Sequence, residues 1–235
     1  IFYVLVDHQI RKNSSREAIL VKRLLKKKEI TLTIIKNKEK IEKNIQGKAR
    51  EIRYKILTNY CKTKKSQYLL TAHHSDDQIE TFLIRLSRGS GIKGLSSMKK
   101  NTPLKNKVRL IRPLLEIRKK DLTQIAKKTF GKFFKDSSNN SSKYLRTRIR
   151  NIKSIIEKNG IDHDQIIKSI NNLSSSSQTL DDYISKVYKT NVIKKKKELH
   201  INLKNMFLEN NEIQLKILSK AIQQFSNSYY PPRSK

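Results

Sequence analysis

Tryptophan is absent from these 235 residues, and cysteine occurs once, at Cys61. A lone thiol cannot close an internal disulfide and cannot by itself build a zinc or iron–sulfur site, so a reducing compartment, the cytoplasm, is the expectation. Long apolar runs are missing too. None nears the roughly 20 residues that a membrane-spanning helix requires, so no membrane partner is expected, and no signal-peptide pattern is visible. Acidic residues are scarce, 20 against 53 Lys and Arg, which leaves a formal net charge of +33. An excess of that size suits a polyanionic partner. Part of it has a blander origin, because a chain rich in Lys, Ile, Asn and Ser is what AT-rich codon usage produces. Arginine resists that drift. The cluster Lys143-Tyr144-Leu145-Arg146-Thr147-Arg148-Ile149-Arg150 keeps the planar forks that suit phosphate, and RNA binding is expected.

What is present is an alternation of strand and helix signals. Ile1-Phe2-Tyr3-Val4-Leu5-Val6 is a continuous apolar run of the kind a buried parallel strand shows, and a chain rarely opens inside a core strand, so residues upstream of Ile1 are expected. Ser14 or Ser15 reads as a helix cap, followed by Ala18, Leu20, Val21, Leu24 and Leu25 at helical spacing. The β-branched run at 30–35 and the segment 67–71 read as further strands, 41–62 as a long helix, and another helix starts near Ser75. This order predicts an α/β fold: a parallel, Rossmann-like sheet with flanking helices, whose ligands lie beyond the carboxyl ends of the strands. From about Lys143 the pattern turns helical, over 144–158, 165–189 and 212–225. The division expected is an α/β domain over 1–142 and a smaller helical region over 143–235. The serine run at 174–177 reads as helix, because apolar spacing continues across it from Ile166, Ile167, Ile170 and Leu173 to Leu180, Tyr183 and Ile184.

The densest chemical signal is Thr71-Ala72-His73-His74-Ser75-Asp76-Asp77-Gln78-Ile79-Glu80-Thr81, where a strand ends and a helix begins. Asp76 and Glu80 are one helical turn apart and Asp77 and Glu80 three residues apart. All three carboxylates are therefore expected to converge at the mouth of the sheet, while Ile79, Phe82, Leu83 and Leu86 pack inward. Such carboxylates could hold Mg²⁺ between phosphates or receive an amine. Helix capping accounts for Ser75 and one acidic residue, but not for two preceding histidines. Next, Gly89, Gly91 and Gly94 gather half of the chain's six glycines between 85 and 95. One serves a helix end; three suggest backbone that comes near a ligand or another segment.

Read together, T-A-H-H-S-D-D-Q-I-E-T-F-L-I-R-L-S-R-G-S-G-I-K-G-L-S-S-M resembles the tRNA(Ile)-lysidine synthetase family, within the N-type ATP pyrophosphatase, or PP-loop, superfamily. Other segments agree in order: 6–11 with Ser14 and Glu17-Ala18, Ala49-Arg50 with Arg53-Tyr54, Arg112-Pro113-Leu114-Leu115, Asp136-Ser137-Ser138-Asn139, and 146–150. The resemblance covers about residues 1–150. It departs in one respect: the family's S-G-G-x-D-S loop, which cradles pyrophosphate, does not occur in these residues. Its strand, loop and first helix are expected upstream. Tyr229-Tyr230-Pro231-Pro232-Arg233 resembles a segment that family members continue past.

The resemblance implies an ATP- and Mg²⁺-dependent ligase that adenylates the C2 oxygen of the wobble cytidine in the CAU anticodon of tRNA(Ile), then lets the amine of L-lysine displace AMP to leave lysidine. It implies His74, Asp77 and Glu80 as catalytic residues, with Asp77 and Glu80 at metal or amine and His74 at the adenylated intermediate. Asp76 and Asp77 are the metal candidates, His8, Arg50, Gly89 and Gly91 the nucleotide-binding candidates, and Arg53, Arg146, Arg148 and Arg150 the tRNA contacts. A homodimer is left open. Two alternatives stand beside this reading. A tRNA thiolase of the same superfamily would use catalytic or cluster-holding cysteines, whereas Cys61 sits on a helix face that suits a core. A non-catalytic basic RNA-binding module explains the charge but leaves the acidic H-H-S-D-D-Q-I-E-T element without a purpose.

Overall fold

The computed structural model describes residues 1–11, 13–42, 45–131, 134, 145–196 and 198–226. The segments Asp136–Asn139 and Tyr229–Arg233, and residues 143–144 of the basic cluster, lie outside the described residues. The chain divides into two compact units, residues 1–90 with 97–170, and residues 91–96 with 171–235. The first unit thus runs past the 142/143 division expected from the sequence. The reason is that helix Leu145–Lys158 packs on helix Ser75–Leu86 and belongs with it.

In the first unit, β1 (Tyr3–Asp7) pairs in parallel with β2 (Leu32–Lys36) across α1 (Ser14–Lys26). Helix α2 (Ile45–Thr63) packs on β1 and on β3 (Tyr68–Leu70). Then come α3 (Ser75–Leu86), α4 (Ile92–Leu95), β4 (Asn101–Pro103), β5 (Arg109–Ile111), α5 (Lys119–Phe130) and α6 (Leu145–Lys158), α4 falling in the second unit. Strand β5 lies between β3, which it meets in parallel, and β4, which it meets antiparallel. The expected strand–helix alternation and parallel pairing are present. The β4–β5 pair was not read from the sequence, because three-residue strands are too short to show a period of two.

Two local readings change. Neither Ser14 nor Ser15 caps α1: Asn13 takes that position, and the Ser15 hydroxyl instead donates to Asp7 Oδ2 at 2.6 Å. Leu86 does not pack inward either. Ile79 is fully buried against Ile166 and Ile170, with Phe82 and Leu83 beside it, while Leu86, at the end of α3, is exposed. Cys61 is buried on α2, where burial pushes its thiol pKa up, as suits a core residue.

Helix α7 (His163–Asn191) starts in the first unit and ends in the second. The serine run lies within it, and Ser177 is buried. The second unit adds a hairpin, β6 (Val192–Lys194) with β7 (Leu199–Ile201), then α8 (Leu203–Met206) and α9 (Asn211–Phe225). Its core is Ile184, Val187, Tyr188, Val192, Met206, Ile213, Ile217 and Ala221. Among the described residues no helix is long and apolar enough to cross a membrane.

Candidate active site

Strand β3 ends at Leu70, and the Thr71 amide extends its ladder by donating to Ile111 O at 3.0 Å. The chain then leaves the sheet through Ala72 and His73 and enters α3 with His74 in extended conformation as the residue before the first turn. Asp77 steadies this entry, its Oδ2 accepting from the His74 amide at 3.1 Å. An N-terminal helical turn exposes unpaired amides, so acidic and polar residues settle there for backbone reasons alone. What distinguishes these residues is where each side chain goes next.

Asp76 and Glu80 face α6. The ammonium of Lys153 donates to Asp76 Oδ1 at 2.8 Å, and the Lys119 amide, opening α5, donates to Asp76 Oδ2 at 2.9 Å. Burial opposes ionisation of Asp76, but these two hydrogen bonds and the Lys153 charge outweigh it and hold the carboxyl at about 2. Glu80 is buried, and Arg150 grips it with Nε at 2.5 Å from Oε1 and Nη2 at 3.4 Å from Oε2. That bond raises the Arg150 pKa despite burial. The three carboxylates therefore do not converge. Residues four apart on a helix lie on one stripe, while the neighbour at one step is turned by about 100°, so Asp77 looks elsewhere.

Asp77 lines a cavity of about 310 Å³ with Arg53, Tyr54, Leu57, Thr71, Ala72, His73 and Arg146. Asp77 is the one carboxylate in this lining among the described residues. Arg50 lies over the Tyr54 ring, 5.1 Å from its centroid. Burial lowers the pKa of Arg53, Arg85 and Arg112, and Arg50 lowers each further by like-charge repulsion. Arg112 is buried; its Nη1 donates to Lys99 O at 2.7 Å and to Thr102 Oγ1 at 3.0 Å, and its Nε meets no partner. Burial, and secondarily Arg112, Arg50 and Arg146, pulls His73 down to about 4 against the opposing pull of Asp77, so its ring is neutral at physiological pH. Thr71 Oγ1 sits 2.8 Å from His73 Nδ1. Such an arrangement gathers positive charge in a concave, partly exposed lining, which favours entry of an anion.

The remaining candidates are scattered. His8 follows β1 with both ring nitrogens buried and unpartnered, and burial together with Arg53 lowers its pKa. Its place beside Arg53 puts it near the same charge. His74 Nε2 is 3.5 Å from Asp77 Oδ2, and its Nδ1 has no hydrogen-bond partner. Gly89 takes a positive φ of 65° after α3, a conformation that glycine adopts readily, while Gly91 precedes α4 with an ordinary φ of −73°. Neither is among the lining residues, and a Cβ added at either would meet nothing within 4 Å. On α6, Arg146 lines the cavity, Arg148 is exposed and Arg150 is spent on Glu80. No group of three or more His, Cys, Asp or Glu side chains suited to a metal ion occurs among the described residues. Reading the sequence missed Tyr54, Thr71, His73 and Arg112 as site residues. The motifs Arg53-Tyr54, Thr71-Ala72-His73-His74 and Arg112-Pro113 contained all four without assigning them a role.

The site places one carboxylate and two arginines beyond the end of β3 in a parallel α/β scaffold, the region in which scaffolds of this class take their ligands. Residues 1–157 match the PP-loop domain, and the chain belongs to that family. It is similar to the tRNA(Ile)-lysidine synthase of Wolbachia pipientis wMel, 35% identical over 231 residues, which are 97% of this chain and 53% of that protein. It is also 44% identical over 150 residues to the tRNA(Ile)-lysidine synthase of Orientia tsutsugamushi (strain Boryong), 63% of this chain and 33% of that one. The chain thus spans about half the length, or less, of the curated relatives it matches. Among solved structures, a U34-tRNA thiolase, NcsA, from Methanococcus maripaludis with its 4Fe-4S cluster superposes with a TM-score of 0.58 at 21% identity, over 73% of this chain and 61% of that chain. That likeness concerns the fold alone.

Proposed function

We propose that this chain is part of an ATP-dependent ligase that joins L-lysine to C2 of the wobble cytidine in the CAU anticodon of tRNA(Ile). The observation that carries the reading is the cavity in which Asp77 and neutral His73 stand among Arg53 and Arg146, on a chain similar over nearly its whole length to a lysidine synthase. Transfer of AMP to the C2 oxygen forms an O–P bond and releases pyrophosphate. Arg53 and Arg146, with Arg50 and Arg112 behind them, would hold phosphate oxygens and spread the charge that develops. In the second step the lysine amine attacks C2, AMP departs with the oxygen, and the amine loses a proton. Asp77 would orient that amine and accept its proton, and His73, unprotonated, would accept a hydrogen bond within the same lining. His74 stays adjacent to Asp77 as a contact for the adenylated base.

Magnesium fits through one carboxylate. Asp76 is paired with the Lys153 ammonium and does not line the cavity, whereas Asp77 does, so Asp77 would hold Mg²⁺ together with the nucleotide's own phosphates, a mode that Mg²⁺ favours. Bound there, the ion would neutralise phosphate charge. The exposed lysines of the second unit, Lys186, Lys189, Lys194, Lys195, Lys196 and Lys204, suit the tRNA backbone as a sequence-independent contact. A thiolase reading has less support, since Cys61 is buried with a raised pKa.

The test uses the protein encoded by the whole reading frame, with ATP, labelled lysine and an unmodified CAU-anticodon tRNA. Lysine label in the tRNA, with AMP and pyrophosphate released, is expected. Absence of label, or label in a tRNA whose wobble base is not cytidine, overturns the reading.

A further inference from the structure

We propose that Asp76 and Lys153 are positioning residues: their ion pair sets the rotation of the first turn of α3 and so aims Asp77 into the cavity. The proposal rests on the lysine-ligation reading for its activity readout, and on a stability readout that needs no activity.

Helices α3 and α6 meet along a charged seam. Reading α3 forward, Asp76 then Glu80 meet Lys153 then Arg150 on α6, so the two helices run antiparallel there. Spacings of four on one helix and three on the other bring both pairs onto facing stripes. Two contacts a turn apart define both the rotation and the axial position of α3, which a single contact could not. The Lys153 ammonium is itself shared, donating to Glu157 Oε1 at 3.0 Å, and its side chain is 14% exposed.

A second set of bonds locks the same turn. Ser75 is buried and its hydroxyl donates to Ile117 O at 3.0 Å. With its one proton spent there, that oxygen accepts from His163 Nε2, 3.1 Å away at the start of α7. His163 Nδ1 is 3.6 Å from Glu157. His163, bonded to Ser75, and Lys153, bonded to both Asp76 and Glu157, thus tie adjacent residues of α3 to the start of α7 and to α6.

Asp77 is the next residue. Its Oδ2 is bonded to the His74 amide, so its carboxylate moves with the turn and cannot compensate for a rotation by changing rotamer alone. A displacement of about 1 Å at a reacting group costs on the order of 10²-fold in rate. Each Asp76 oxygen already accepts one of these bonds, one from a Lys153 ammonium whose charge competes with a metal ion. The two roles open to it, ligand and anchor, therefore predict different responses to Mg²⁺.

In the whole-reading-frame protein, Lys153→Met should lower kcat for lysine incorporation by roughly 10- to 100-fold, leaving KM for lysine and the half-saturating Mg²⁺ concentration unchanged. Lys153→Arg should restore most of the rate. Asp76→Asn should match Lys153→Met, and the double variant should be no worse than either. Heat denaturation of the four proteins should show a non-additive Tm for the pair. Lys153→Gln serves if Lys153→Met does not fold. A parent-like kcat for Lys153→Met, an Asp76→Asn variant that needs more Mg²⁺ while the lysine variant does not, or additive Tm changes overturns the proposal. A parent protein that incorporates no lysine overturns the ligation reading instead, and the Tm cycle then decides this one by itself.

Discussion

Helix α3 carries acidic residues on two faces that differ in almost every physical respect. Toward α6, Asp76 and Glu80 are each matched by a cation at hydrogen-bonding distance, and between them Ile79 is sealed from water. Toward the cavity, Asp77 stands among arginines that repel one another and a histidine held neutral. The first face is satisfied before any ligand arrives; the second has charge left to settle. Residue type does not separate them, since an aspartate occurs on each. What separates them is whether protein has already supplied the partner. A matched, buried pair contributes mainly when one member is removed, because the other is then left uncompensated. An unbalanced cluster costs stability and is retained where it does chemistry.

The contrast is sharpest when one carboxylate on each face is neutralised. Asp77→Asn should lower lysine incorporation by ~10²–10⁴-fold with tRNA affinity and Tm close to those of the parent. Glu80→Gln should act mainly on folding. It strands Arg150, and because Glu80 is 4% and Arg150 30% exposed, a loss of about 2–4 kcal/mol is expected, toward the low end for the exposed partner. Filter binding, lysine incorporation and thermal unfolding on both variants check this. Equal stability losses, or equal activity losses at matched stability, would erase the distinction between the faces.

How much of this was legible beforehand follows from sequence separation. The start of α3, its buried Ile79 and its place after a strand are local matters, set by a capping turn and a period of 3.6 residues, and they stand in the sequence. The partners of Asp76 and Glu80 lie 77 and 70 residues away. No local pattern reveals that an arginine inside a basic cluster is already committed to a buried glutamate. For the same reason, Arg146, Arg148 and Arg150 read as one RNA-binding group, although helical rotation sends them to three environments. The β6–β7 hairpin was invisible for a different reason. Its strands have three residues each, too few to show a period of two, and flank a lysine run.

That division of the arginines yields a smaller effect. Salt dependence of tRNA binding counts the phosphate contacts made by a protein. Replacing Arg146, which lines the cavity, or Arg148, which is exposed, by Ala should each reduce the slope of log affinity against log salt by about 0.7–0.9. Arg150→Ala should leave the slope at the parent value and lower Tm instead, since its guanidinium is bound to Glu80. Measured slopes that fall equally for all three would return Arg150 to the RNA-contacting set.

The smallest effect concerns acid. His73 is held at about 4 against a reference of 6.5, first by burial and then by the surrounding arginines. Its folded-state pKa is depressed, so between those values the unfolded chain binds a proton that the folded chain refuses, and stability must fall as pH drops from about 6.5 toward 4. Asp76 works in a lower window, below its reference of 3.8 toward about 2, and does not confuse the measurement. His8 and His163 are also depressed by burial and contribute in the same direction, so the parent's acid slope belongs to several groups. The difference between parent and His73→Asn isolates one of them. Thermal unfolding at a series of pH values should therefore show a constant offset between the two proteins above pH 6.5 and an offset that changes as pH falls from 6.5 toward 4, the variant having the shallower slope there. Parallel slopes across that interval would mean that His73 is freely protonated in the folded protein, and the cavity would then hold one more positive charge at mildly acidic pH than the arginines alone supply.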